Sequence, residues 1–97
     1  MPTYVILGKY TQEGITNVKE LPERLEAARQ LAKSLGGEIK EFYLTMGQYD
    51  FVVISEGPSD EATMQSLLIS GSTGRVKTET LVAFPADKAI EIVKKLP

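Results

Sequence analysis

The stretch Tyr49–Ser55, YDFVVIS, carries apolar side chains on both of its alternating sets of positions. A strand with this pattern is covered on two faces and lies in the interior of a sheet. Thr3–Tyr10, TYVILGKY, has the same character as far as Gly8. We therefore predict that these two segments are the central strands of one sheet.

Two further segments alternate between polar and apolar positions, which is typical of edge strands. In Glu38–Met46 the first set comprises Lys40, Phe42, Leu44 and Met46, and the second comprises Ile39, Glu41, Tyr43 and Thr45. In Arg75–Phe84 the alternating set comprises Val76, Thr78, Thr80 and Val82. The chain therefore predicts four strands.

Between the first two strands, an apolar stripe at spacings of three and four predicts an amphipathic helix. The stripe consists of Leu21, Leu25, Ala28, Ala32 and Leu35. Thr11–Thr16 precedes this helix, and we predict a polar connection there in which Gly14 adopts a positive φ angle. Gly36 and Gly37 predict the left-handed stop at the end of the helix.

Two more helices are predicted in the second half of the chain. One begins with Ser59 or Asp60 as its cap and ends near Ser70, followed by a loop at 71–74. The other begins at Pro85 and carries a narrow apolar stripe that consists of Ala86, Ala89, Ile90 and Val93. The order of elements is therefore βαββαβ with an added terminal helix.

This order predicts a single α+β domain over residues 1–97 with a ferredoxin-like sandwich. The strands would form an antiparallel sheet in the order 4-1-3-2, with the crossover helices on one face. The other face would be bare, although its side chains are apolar. Either the terminal helix or a second copy of the sheet must cover it, and we favour a homodimer or a larger homo-oligomer that packs sheet on sheet.

Composition excludes several classes of function. The 97 residues include no His and no Cys, so histidine general bases, thiolate nucleophiles and the usual zinc sites cannot form within the chain. We expect no metal and no cofactor. Eleven basic against thirteen acidic residues, without a basic stripe, argue against nucleic-acid binding. Without a long apolar run or a signal peptide, we expect no membrane association and a cytoplasmic location.

The segment Gly47–Asp50 places a charge at the mouth of an apolar strand, and two interpretations stand. In the first, Gly47 supplies the positive φ of a tight turn and Asp50 accepts backbone N–H groups at the hairpin base. In the second, Asp50 is a charged anchor at the rim of a cavity between sheets. A buried carboxylate there would need a cation such as Lys9, Lys19, Arg24 or Arg75 beside it, or its pKa would rise.

The chain resembles the GYD domain family, which is named for a Gly-x-Tyr-Asp signature. The residues that carry the resemblance are Gly14, Asn17, Lys19, Pro22, Arg24, Gly36, Gly37, Phe42, Tyr43, Thr45, Gly47, Tyr49, Asp50, Gly74, Val76, Thr80, Ala83 and Phe84. The resemblance implies a ferredoxin-like domain of the dimeric α/β-barrel type, and it implies no particular activity.

Two functional hypotheses follow. The first is a non-catalytic, homo-oligomeric module that binds a small metabolite or a protein partner at its sheet–sheet interface. The second is a cofactor-free enzyme of the monooxygenase or isomerase type, in which Asp50 is the base and tyrosines are acids or oxyanion donors. The candidate ligand-binding residues are Asp50, Tyr49, Gly47, Tyr43, Lys19, Arg24 and Tyr10. No catalytic residue is assigned under the first hypothesis. A third, structural interpretation treats the protein solely as an assembly unit.

Overall fold

Four antiparallel strands form one sheet in the computed structural model of the chain, which describes residues 1–97. They are β1 (Thr3–Tyr10), β2 (Glu38–Leu44), β3 (Phe51–Glu56) and β4 (Val76–Ala83). Their order is β2-β3-β1-β4, which is the predicted 4-1-3-2 order read from the opposite edge. The α+β class and the central positions of β1 and β3 are therefore confirmed.

The helices are α1 (Gln12–Thr16), α2 (Leu21–Ser34), α3 (Asp60–Ser72) and α4 (Ala86–Lys94), with a 3₁₀ turn at Val18–Glu20. Pro22 lies in the first turn of α2, where its missing N–H is not needed. Ser59 caps α3 by accepting a hydrogen bond from the amide of Ala62. None of the helices is long and apolar enough to cross a membrane.

The core lies between the sheet and the helices α2 and α3. Tyr4, Phe51 and Val53 are its buried apolar side chains, and the Tyr4 hydroxyl donates to the Asp60 carboxylate at the start of α3. The Phe51 ring leaves no room for a Cβ atom at Gly8 on the neighbouring strand. This close approach accounts for the glycine in the middle of a central strand.

The predicted alternation in β2 is wrong at one point, because a β-bulge interrupts the pairing of β2 with β3 between Ile39 and Glu41. Ile39 pairs with Ser55 and Phe42 pairs with Val53, so Ile39 and Phe42 share the helix-covered face. A strict alternation had placed them on opposite sides. The extra residue, Lys40, shifts the register of everything that precedes it.

The segment Thr11–Thr16 is a short helix and not the predicted loop. Thr11 caps it by accepting a hydrogen bond from the amide of Gly14, and Gly14 does not have a positive φ angle. A Cβ atom at Gly14 would collide with the backbone carbonyl of Arg75, which accepts from the amide of Thr11. The glycine is therefore required by close packing and not by backbone conformation.

Other boundaries shift by one to three residues. Helix α3 continues to Ser72, so Gly71 belongs to the helix and not to the predicted loop. Gly36 and Gly47 have the predicted positive φ angles, 85° and 112° respectively. The predicted tight turn at Gly47 and Gln48 is wrong, because the connection between β2 and β3 spans residues 45–50. Strand β3 begins only at Phe51, so Tyr49 and Asp50 precede it.

Helix α4 projects away from the domain and does not cover the second face of the sheet. It has no buried residue, and Ile90 and Val93 of its apolar stripe are 54% and 62% exposed. It packs extensively against none of the other elements. Of the two predicted covers for that face, the terminal helix is therefore excluded within one chain.

Candidate functional site

The face of the sheet that points away from α2 and α3 carries a continuous apolar patch, which we call the open face. Side chains that are paired across antiparallel strands lie on one face, so the register identifies its members. Its apolar members are Val5 and Leu7 of β1, Val52 and Ile54 of β3, Tyr43 of β2 and Leu81 of β4. Two carboxylates on the edge strands share this face, because Glu41 of β2 pairs with Ile54 and Glu79 of β4 pairs with Leu7. Tyr43 and Leu81 are 53% and 47% exposed, and no element of the chain lies over them.

One corner of the open face is basic. Lys9 of β1 and Lys77 of β4 are direct cross-strand neighbours, and Lys9 Nζ lies 5.5 Å from the centre of the Tyr49 ring. The Tyr49 hydroxyl donates to Glu79 Oε1 at 3.1 Å, and this hydrogen bond is the main reason why the pKa of Tyr49 is raised. Leu7, Thr78 and these four residues line a shallow groove of about 180 Å³.

The diagonally opposite corner is acidic. Glu38 of β2 and Glu56 of β3 are direct cross-strand neighbours at the other end of the sheet. Lys40, the bulge residue, places its Nζ atom 3.6 Å from Glu38 Oε1 and 4.0 Å from Glu56 Oε1. One ammonium therefore faces two carboxylates, and the corner keeps a net negative charge.

Asp50 ties the β2–β3 connection to the neighbouring strand. Its carboxylate accepts from the backbone amide of Tyr10 at 2.8 Å, and its own amide donates to the Gly8 carbonyl at 2.8 Å. Its acceptor role matches the first interpretation, but the amide belongs to β1 and not to the hairpin base. None of the cations proposed beside it forms a salt bridge with it: Arg24 and Arg75 pair with Glu20, and Lys9 lies over Tyr49.

The opposite face of the sheet borders a cleft of about 400 Å³ beneath α2 and α3. Its lining is largely apolar and includes the side chains of two arginines, Arg24 and Arg75. Arg24 and Arg75 both contact Glu20 Oε1, at 3.4 and 3.3 Å. Tyr10 also lines the cleft, and burial first, then the charge of Asp50, raises the pKa of its hydroxyl.

The predicted ligand-binding residues are distributed over three regions. Tyr43 and Tyr49 lie on the open face, whereas Tyr10 and Arg24 line the helix-side cleft. Asp50 lines neither that cleft nor the groove beside Tyr49, so it shares neither of these cavities with a tyrosine hydroxyl.

The two remaining predicted residues lie apart from both cavities. Lys19 is exposed in the 3₁₀ turn, and Gly47 forms the β2–β3 turn.

The model of the GYD domain matches residues 4–93 of this chain. The chain belongs to the GYD domain family. The domain is 33% identical over 95 residues to a Thermus thermophilus protein named "Glutamine synthetase and cystathionine beta-lyase binding protein". That alignment covers 97% of this chain and 100% of the relative.

Two solved structures share the fold of this GYD domain. The crystal structure of FFRP-DM1 superposes with a TM-score of 0.61 at 21% identity, covering 87% of this chain and 100% of that one. The crystal structure of TTHA0845 from Thermus thermophilus superposes with a TM-score of 0.51 at 24% identity, covering 89% and 96%. These likenesses support the α+β fold.

The geometry gives each residue of the GYD signature a structural role. Gly47 turns the chain with its positive φ, Tyr49 reaches Glu79 on β4, and Asp50 reaches Tyr10 on β1. The signature therefore links the β2–β3 connection to both strands on the far side of the sheet.

Sequence reasoning missed the two charged corners of this GYD domain. The sequence shows on which alternating set of its strand each of Lys9 and Lys77 lies. That the two lysines are neighbours depends on how β1 and β4 are paired. The same holds for Glu38 and Glu56, whose pairing also depends on the bulge at Lys40.

Proposed function

We propose that this GYD domain is a non-catalytic, homodimeric module that binds another protein, with the open face as the seam between its two copies. The observation that carries the proposal is the apolar open face, which no element of the same chain covers. Burying a Val, Leu or Ile side chain is worth about 1.5–3 kcal/mol relative to leaving it in water. Contiguous apolar patches of this kind mark protein–protein contacts.

A second copy fits this face because the patch is central and its charges lie at the edges. A two-fold interface presents the same patch from both partners, so an apolar centre meets an apolar centre. Stable dimers bury about 800 Å² on each partner, which is of the order of one face of a four-stranded sheet. Helix α4 is free to lie against the partner, since it packs extensively against no other element of its own chain.

The dimer is tested by sedimentation of the wild-type chain and of two matched variants. Leu81→Glu places a charge in the open face, whereas Leu68→Glu makes the same change on the outer surface of α3, where the leucine is 65% exposed. We expect dimers for the wild type and for Leu68→Glu, and monomers for Leu81→Glu. A monomeric wild type at tens of micromolar, or a dimeric Leu81→Glu, would refute the seam.

The proposed partner of the dimer is a metabolic enzyme. The support is the relative of nearly equal length that is named for binding glutamine synthetase and cystathionine β-lyase. These two enzymes, from the same source organism as this chain, are therefore the first to test by biolayer interferometry, with an unrelated enzyme of similar charge as control. Saturable binding of either is expected, and binding no stronger than that of the control enzyme contradicts this part of the proposal.

A second candidate function rests on the helix-side cleft. An apolar cleft of about 400 Å³ whose lining includes two arginines suits a small amphipathic carboxylate, whose anion would compete with Glu20 for the guanidinium groups. A ligand present at a hundred times its Kd adds about 2.7 kcal/mol to the free energy of unfolding. Thermal shifts with aliphatic and aromatic acids, lost in Arg75→Gln, would support this function.

A further inference from the structure

The two charged corners of the open face are each built from a pair of like charges. Lys9 stands directly opposite Lys77 across β1 and β4, and Glu38 stands directly opposite Glu56 across β2 and β3. Like charges at directly opposed positions destabilise a sheet. Neither lysine forms a salt bridge within the chain, and the two glutamates share the single ammonium of Lys40. Glu79 also lies at the basic corner, where it accepts a hydrogen bond from Tyr49 and forms no salt bridge with either lysine. Each pair therefore lacks a full set of counter-charges in one copy.

Both pairs point to the side of the sheet that is free of helices. On β1, Tyr4 and Gly8 face the helical layer, so Lys9, one position on, faces the open side. On β3, the buried positions are Phe51, Val53 and Ser55, so Glu56 faces the open side as well. Their cross-strand neighbours Lys77 and Glu38 lie on the same face as Lys9 and Glu56.

The pairs occupy diagonally opposite corners. Strands β1 and β4 form one half of the sheet, and strands β2 and β3 form the other. Glu56 is level with Thr3, and Thr3 is six residues from Lys9 along β1. At about 3.3 Å per residue the two corners are roughly 20 Å apart along the strand direction. The apolar patch lies between them.

This diagonal pattern discriminates between the possible two-fold axes of a face-to-face dimer. An axis parallel to the strands gathers four lysines at one end of the interface and four glutamates at the other. An axis along the diagonal through both corners stacks lysine on lysine. An axis across the strands brings lysines and glutamates of the two copies to the same end but on opposite sides. An axis perpendicular to the line that joins the two corners stacks the lysine corner of each copy on the glutamate corner of its partner.

We propose that a second copy of this chain covers the open face in the last of these orientations, with Lys9 and Lys77 of each copy against Glu38 and Glu56 of the other. This rests on the proposed dimer and adds its orientation. Opposite charges then meet at both corners, so the interface supplies the counter-charges that one copy lacks. Complementary corners of this kind select register and exclude the wrong pairing.

Zero-length carbodiimide cross-linking of the full-length protein tests the orientation directly. Lys9 and Glu56 are too far apart within one copy to be joined, so a Lys9–Glu56 or Lys77–Glu38 amide identified by mass spectrometry must be intermolecular. The Lys40–Glu38 pair, 3.6 Å apart in one copy, is the internal positive control. Dimers that yield only the control cross-link would overturn the proposed orientation.

Charge reversal supplies an independent test. Glu38→Lys/Glu56→Lys changes the formal net charge from −2 to +2, so its magnitude is unchanged, and it keeps a like-charge pair at each corner. We expect the dimer Kd to rise at least about tenfold. Adding Lys9→Glu/Lys77→Glu to the same chain exchanges the two corners and should return the Kd to within about threefold of the wild type.

The outcomes separate the orientation from the dimer itself. If Glu38→Lys/Glu56→Lys dimerises as tightly as the wild type while Leu81→Glu is monomeric, the open face is still the dimer interface but the proposed orientation is wrong. If the wild type is monomeric, or if Leu81→Glu is dimeric, the proposed seam fails, and the orientation fails with it. Weakening by the first reversal without recovery in the fourfold variant also overturns the orientation.

Discussion

The carboxylate of Asp50 accepts a hydrogen bond from the backbone amide of Tyr10, 2.8 Å away and forty residues distant in the chain. This contact joins the turn before β3 to the end of β1. The amide of Asp50 donates to Gly8 on the same strand, so the residue is held from two sides. The charge at the mouth of an apolar strand thus has a structural partner.

We expect Asp50→Ala to lower the free energy of unfolding by about 1–3 kcal/mol, because it leaves the partly buried Tyr10 amide without an acceptor. Asp50→Asn keeps an acceptor oxygen and should cost less. It also removes the charge that contributes to the raised pKa of Tyr10, so that pKa should fall. Urea unfolding and a spectroscopic tyrosine titration measure both effects. Equal stability of Asp50→Ala and the wild type would contradict the structural role.

Glycines in two different environments should respond in opposite ways to the same substitution. Gly8→Ala places a methyl group against the Phe51 ring, and overpacking of this kind costs about 1–3 kcal/mol. Gly71→Ala is the control, because nothing lies within 4 Å of its added Cβ and the residue is in α3. Helix propensity predicts a gain there of up to about 1 kcal/mol. Thermal unfolding of both variants checks the sign of each change.

The buried tyrosine Tyr4 makes the stability fall at alkaline pH. Burial, and then its hydrogen bond to Asp60, raises the pKa of Tyr4 above the ordinary value of 10.0. A raised pKa in the folded state means that its contribution is intact below pH 10 and is lost as the pH rises through the folded value. Tyr4→Phe should therefore have a shallower loss of stability above pH 10. Parallel slopes for the two proteins would show that Tyr4 does not contribute.

Removal of helix α4 should leave the fold of a single copy intact. Residues 86–97 contain no buried side chain, so truncation removes no core contact. We expect an unchanged midpoint of thermal unfolding at low protein concentration, apart from the loss of helical circular dichroism. A large drop in the midpoint that appears only at high concentration would indicate that α4 packs against the second copy.

Much of the fold follows from local patterns. The apolar stripe from Leu21 to Leu35 predicted α2, and the two-faced segments predicted that β1 and β3 are central. The boundaries of α1 and α3 were less accessible. Gly14 and Gly71 look like loop residues in isolation. Gly14 is instead required because the Arg75 carbonyl leaves no room for a side chain, and Gly71 lies within helix α3.

Periodicity along the chain and the order of the elements were therefore sufficient for the class, the strand order and the existence of an apolar second face. The second face depends on which side of its own strand a residue occupies, and the strand order follows from the βαββαβ succession of elements. The Asp50–Tyr10 bond and the charged corners depend on the alignment of one strand with another, which the bulge at Lys40 shifts by a residue. Such alignment is set by the packing of the whole sheet, so these contacts became visible only once the strands were paired.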